Sequence, residues 1–143
     1  MPSVEEPLSN TESVSVEVYL ILEKRIENFQ QYLYQQCAQM FAGKPRIDTE
    51  DVVVLLKHVA TSYPANNILQ EQTAISPFSN DAFIFLTRRI HQLRVFVWTQ
   101  CLSSAAQHSR KVTDEDVQQA WQRNMGNPYT RAAILAPNVD RKR

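Results

Sequence analysis

The stretch Arg46-Ile47-Asp48-Thr49-Glu50-Asp51-Val52 returns later in the chain as Lys111-Val112-Thr113-Asp114-Glu115-Asp116-Val117. The residues before each copy match as well. Shifted by 64 positions, Tyr19-Leu20-Ile21-Leu22 falls on Phe83-Ile84-Phe85-Leu86, Lys24-Arg25-Ile26 on Arg88-Arg89-Ile90, and Gln36-Cys37 on Gln100-Cys101. Across 18–42 six of 25 positions are identical, and most other pairs keep their polar or apolar character. The shift becomes 65 at Asp51 and Asp116, which places one extra loop residue in the second copy. A repeat of this length in a chain of 143 residues means one supersecondary unit used twice.

Each unit reads as a long helix, a short loop and a shorter helix. The first apolar stripe runs Val18, Leu22, Ile26, Phe29, Leu33, Cys37 and Met40. Its steps of three and four residues describe one face of a helix of about seven turns. The second runs Phe83, Leu86, Ile90, Leu93, Val97, Cys101 and Ala105, with Ser79 or Asn80 as its cap. Gly43 and Pro45 end the first long helix. Asp48 then caps a short helix, where Glu50 and Asp51 favour the positive end of the dipole, and Thr113 plays the same part in the second copy. Alone, Val52-Val53-Val54-Leu55-Leu56 would suit a strand. Its counterpart Val117-Gln118-Gln119-Ala120-Trp121 suits a helix, and the repeat decides for helix.

The chain is therefore expected to be all-α. Residues 1–13 read as a disordered tail with the helix cap among Ser9, Ser13 and Ser15, 14–60 as the first repeat, and 61–79 as a linker with a short helix over 67–73. Residues 80–124 form the second repeat and 125–143 a C-terminal tail containing Pro128, Pro137 and Arg141-Lys142-Arg143. One helix–loop–helix cannot cover a seven-turn stripe, so each copy must pack on another. Leu22, Ile26, Phe29 and Leu33 on one helix, with Leu86, Ile90, Leu93, Val97 and Trp98 on the other, are the expected core or partner interface. The two copies would meet within the chain as a pseudo-dimer, or each would recruit an outside partner. An ordinary four-helix bundle satisfies the same stripes.

Composition limits what the chain does. Fifteen basic and fifteen acidic residues cancel, so DNA cannot be neutralised along the whole surface. Local contacts remain open to Lys44, Arg46, Arg110 and Lys111 in the loops and to Arg88 and Arg89 on the second long helix. Met1-Pro2-Ser3-Val4-Glu5-Glu6 has no secretory pattern, and no apolar run is long enough for a membrane span. Cys37 and Cys101, equivalent in the repeat, read as reduced core residues of a cytosolic or nuclear protein. His58, His91 and His108 stand apart, without metal-ligand spacing. No phosphate loop, nucleophile elbow or Cys/His pair is present, so neither catalysis, cofactor nor small-molecule substrate is expected. Asp114-Glu115-Asp116 is explained by a capped first turn.

A long helix, a loop with a basic residue, then Thr or Asp followed by Asp-Val opening a short helix resembles the second half of a histone fold. The residues carrying the resemblance are Arg46 to Leu56 and Arg110 to Val117, and it covers roughly 16–58 and 80–124. In such proteins long helices cross antiparallel, paired loops present amides and basic side chains to one backbone, and the loop Arg pairs with the Asp of the third helix. Carried over, Arg46 pairs with Asp51, and Arg110 or Lys111 with Asp116. Neutral charge and the lack of a basic tail make the chain similar to TBP-associated factors of TFIID and to the two-histone-fold subunit of SAGA. The resemblance implies a nuclear subunit that joins other histone-fold or coactivator proteins and touches DNA weakly. Inner-kinetochore and DNA-replication accessory subunits use neutral histone-fold pairs too. The helical lid of AAA+ ATPases ends in a similar Val-Thr-x-Glu-Asp-Val, but no Walker motif precedes it here.

Overall fold

The computed structural model describes residues 16–64 and 74–135, and among these the chain is all-α, with five helices and no strand. Two long helices, α1 (Val16–Met40) and α3 (Asn80–Gln107), are each followed by a short one, α2 (Thr49–Ser62) and α4 (Asp114–Met125); α5 (Pro128–Leu135) ends the described chain. The expectations of a disordered tail, an early cap and a helix over 67–73 fall outside the described residues.

Burial follows the repeat almost residue for residue. Leu22, Ile26, Phe29, Leu33, Tyr34 and Cys37 are buried in α1, and their counterparts Leu86, Ile90, Leu93, Val97, Trp98 and Cys101 are buried in α3. Val52, Leu55, Leu56, Val59 and Ala60 in α2 correspond likewise to buried Val117, Ala120, Trp121, Asn124 and Met125 in α4. One continuous core joins both sets. Two stripe ends differ from the sequence reading. Phe83 is 44% exposed while Ala82 turns inward, and Met40 is only partly buried. The inward face of α3 is thus rotated by one residue at its start.

The long helices cross antiparallel. Tyr19 near the start of α1 meets Trp98 late in α3, edge to face at 5.0 Å between ring centroids. Glu23 accepts from Arg94 Nε at 2.6 Å. At the other end, Phe78 lies between Tyr34 and Phe83. As one helix advances the other retreats. Beside this crossing the loop before α2 pairs with the segment before α3. Ile47 N donates to Pro77 O and Ser79 N to Ile47 O, both at 2.8 Å, giving an isolated parallel bridge between Ile47 and Phe78.

The extra residue of the second copy is not in its loop. Gly43, at φ 81° in the left-handed region, closes α1 after the turn at 41–43. The second copy has Ala105-Ala106-Gln107 there, so α3 continues and Ser109 takes the left-handed turn at φ 54°. The second connection is the shorter one, 108–113 against 41–48.

The expected tail from 125 onward is also corrected, because Pro128–Leu135 is helical. Pro128 starts this helix: its fixed φ and missing N–H suit the first helical position. Asn127 Oδ1 accepts from the amides of Tyr129 at 2.8 Å and Thr130 at 3.1 Å, capping the turn. α5 packs on α2 and α4, burying Arg131 and Leu135.

Candidate functional site

Both short helices begin with the same device. At α4, Thr113 Oγ1 accepts from Asp116 N at 3.3 Å while Asp116 Oδ2 accepts from Thr113 N at 2.8 Å, closing a capping box. Asp116 also accepts two bonds from Arg110, at 2.6 and 2.9 Å, and one from Ser104 Oγ at 3.2 Å. Its side chain is 2% exposed. The Arg110 guanidinium, helped by Thr113, holds the Asp116 carboxyl far below the usual carboxylate range against the cost of burial. This carboxylate is fully occupied.

At α2 the partners change. Asp51 Oδ2 accepts from Asp48 N at 2.9 Å, and both of its oxygens accept from Lys44 Nζ at 2.8 Å. Lys44 lowers the Asp51 pKa, and the Asp48 amide adds to this. Arg46, expected on Asp51, instead donates from Nε to Asp48 Oδ1 at 3.0 Å. Sequence explains the exchange. Arg110 stands three residues before its cap, and Pro45 occupies that place in the first copy. Lys44, one residue earlier, reaches Asp51 in its stead. Between Arg110 and Lys111, the two candidates for Asp116, the structure selects Arg110.

These pairs bear on the candidate backbone contacts. Lys44, Arg46 and Arg110 each have a carboxylate partner. Arg89 lies over the Phe85 ring at 5.4 Å and donates to Gln92. Arg88 and Lys111 are exposed. Carboxylates crowd the same ends of the molecule: Asp48, Glu50 and Asp51 at α2, and Asp114, Glu115 and Asp116 at α4. Lys44, Arg46 and Arg110 are therefore largely compensated before any phosphate arrives.

Within each repeat the long helix is also tied to its short one. Gln36 Oε1 meets His58 Nε2 at 3.0 Å, and at the equivalent positions Gln100 Oε1 accepts from Arg123 at 3.3 Å and from buried Asn124 at 2.9 Å. Arg131 joins the two halves directly. Its Nε donates to Ala60 O at 2.8 Å and its Nη1 to Met125 O, while its guanidinium lies 5.7 Å from the centre of the Tyr63 ring. Ala60 and Met125 are equivalent residues in the last turns of α2 and α4. One cation thus satisfies orphan carbonyls at the negative ends of both helices. Burial lowers its pKa, yet the guanidinium stays charged. Sequence reasoning missed this residue because it lay in a segment read as tail. The signal was Arg131 beside apolar Ala132-Ala133-Ile134-Leu135.

The nine residues expected at the interface are all buried, so none of them faces solvent for an outside partner. Cys37 and Cys101 are buried free thiols, and burial pushes Cys101 up to about 12. Among the described residues no group of three or more His, Cys, Asp or Glu is placed to hold a metal, and no helix is long and apolar enough to cross a membrane. The chain matches no protein-family model, no curated protein and no solved structure.

Proposed function

We propose that this chain is a non-enzymatic interaction subunit whose two histone-fold-like repeats pair with each other, and that it works inside a nuclear transcription or chromatin complex of the TFIID or SAGA kind. The observation that carries the reading is the antiparallel crossing of α1 and α3 with equivalent residues buried on both, together with the bridge between Ile47 and Phe78. Histone-fold pairs have these traits. The Arg110–Asp116 pair matches the loop-to-helix pairing of that family.

Internal pairing consumes the stripes, so partners must be met through outer helix faces and the loops. Contact with DNA is weak and loop-centred, because most loop cations already hold carboxylates. Affinity purification from cells tests the assignment. Coactivator subunits recovered with the chain support it, while kinetochore or replication proteins move the same fold to another complex. Light scattering tests the pairing: a folded monomer is expected, and an obligate dimer overturns it.

A further inference from the structure

The outer faces of the two long helices are equivalent in sequence and opposite in environment. On α1 the positions are Asn28, Gln31, Tyr32 and Gln35, and on α3 they are Gln92, Val95, Phe96 and Thr99. The α1 face is covered by the chain that leaves α2. Tyr63 packs edge to face on Tyr32 at 5.2 Å and on Phe29 at 5.1 Å, and Tyr32 Oη reaches Ser62 O at 3.3 Å. Gln31 on the same face is only 7% exposed. The chain that leaves α4 does not return the cover. The counterpart of Tyr63 is Pro128, which starts α5 toward α2 and α4. Phe96 is left 44% exposed over a groove of about 430 Å³, with His91, Val95 and Thr99 along it.

The polarity is the reverse of what coverage alone would select. Three amides line the face that the protein covers itself, and Val95 and Phe96 line the face left open. An open face with apolar residues in a groove marks an interaction surface. Its charge indicates what it takes. The only acidic residue of α3 is Asp81 at its start, against Arg88, Arg89 and Arg94. Arg94 is committed to Glu23. Arg88, exposed, lies one helical turn before His91 and Gln92 and so borders the groove.

We propose that the groove on the outer face of α3 docks an amphipathic helix of a partner chain, with aliphatic side chains on Val95 and Phe96 and acidic ones against Arg88 and His91. The inference rests on the reading of the chain as an interaction subunit. Its test uses purified full-length protein, so a wrong nuclear assignment would leave it standing.

A synthetic Leu/Glu helix and its Leu/Lys counterpart are titrated into the protein by calorimetry. The Leu/Glu peptide should bind about tenfold more tightly or better, and added salt should narrow the gap. Phe96→Asp should weaken it about tenfold without changing the thermal midpoint. Arg88→Glu, at an exposed side chain, should abolish the preference for Glu over Lys, and it keeps the test readable if Phe96→Asp folds poorly. Equal binding of both peptides, no binding, or binding unaffected by either variant overturns the proposal. So does sedimentation showing a dimer that Phe96→Asp or Arg88→Glu dissociates, because a second copy then occupies the groove.

Discussion

The starts of α2 and α4 share one motif and differ in what surrounds it. Asp116 is buried, with two bonds from Arg110 and others from Thr113 and Ser104. Asp51 has Lys44 and the Asp48 amide, and its side chain is 14% exposed. The difference begins with Pro45, which removes the basic residue from the place Arg110 fills and leaves a lysine to act from farther away. A guanidinium grips both carboxylate oxygens with a rigid fork, whereas an ammonium is a point charge on a flexible stem. Equivalent motifs are therefore unequal anchors, and the second repeat holds its helix start more firmly.

The largest effect is expected where the two repeats are joined. Arg131→Ala frees Ala60 O and Met125 O at the same time and leaves space beside Tyr63. A loss of about 3 kcal/mol is expected in denaturant unfolding, since buried acceptors lose their partner and the side chain its contacts. Arg131→Lys should restore only part, because one ammonium cannot reproduce the spread of a guanidinium across two helix ends. A loss of a few tenths would show that α5 merely lies on the surface.

Next comes the direct comparison. Asp116→Ala should cost about 2 kcal/mol and Asp51→Ala about 1 kcal/mol, the first because a buried, charge-assisted network goes with the cap. Equal losses in equilibrium unfolding would erase the distinction between the anchors.

Acid should separate them too. The folded protein holds the Asp116 carboxyl below the ordinary value of about 4. As pH falls through that value the unfolded chain takes up the proton first, so stability is lost from there downward toward the folded pKa. Above it the contribution is complete. Asp116→Asn should flatten the fall in unfolding midpoint between about pH 5 and about pH 2 more than Asp51→Asn does. A wild-type midpoint indifferent to pH over that window would contradict the anchoring role.

Four of the helices were legible from residues alone. The three-and-four spacing of Leu22, Ile26, Phe29 and Leu33, and of its counterpart, gave the buried faces, while Asp48 and Thr113 marked the short helices. The misreadings share a cause, which is that local signals were given one meaning where physics allows two. Pro128 reads as part of a C-terminal tail, although proline serves equally well as a first helical residue. Arg46 was assigned to Asp51 from the pattern of a family, without the geometric effect of Pro45. Phe83 was placed inside by period, but a helix start can rotate by one residue when Ala82 fits the core better. The open groove on α3 lies outside the inward stripes. Its signal was Val95 and Phe96 on the face opposite Leu86, Leu93 and Val97.

The smallest effect concerns the two loop cations. Lys44 is partly exposed, so its bond to Asp51 is screened by water and Lys44→Ala should cost no more than about 0.5 kcal/mol. Arg110→Ala should lower the unfolding midpoint further, since it strips a buried carboxylate of its principal partner and not merely a surface charge of its neighbour. The same variants sharpen the question of DNA. If Lys44 and Arg110 are spent on Asp51 and Asp116, removing either should leave a gel-shift titration at physiological salt nearly unchanged, while Lys111→Ala, at an exposed position, should weaken any binding present. The opposite result, with the paired cations carrying the affinity, would mean that phosphate competes successfully with the carboxylates and that the helix starts are binding sites as well as caps.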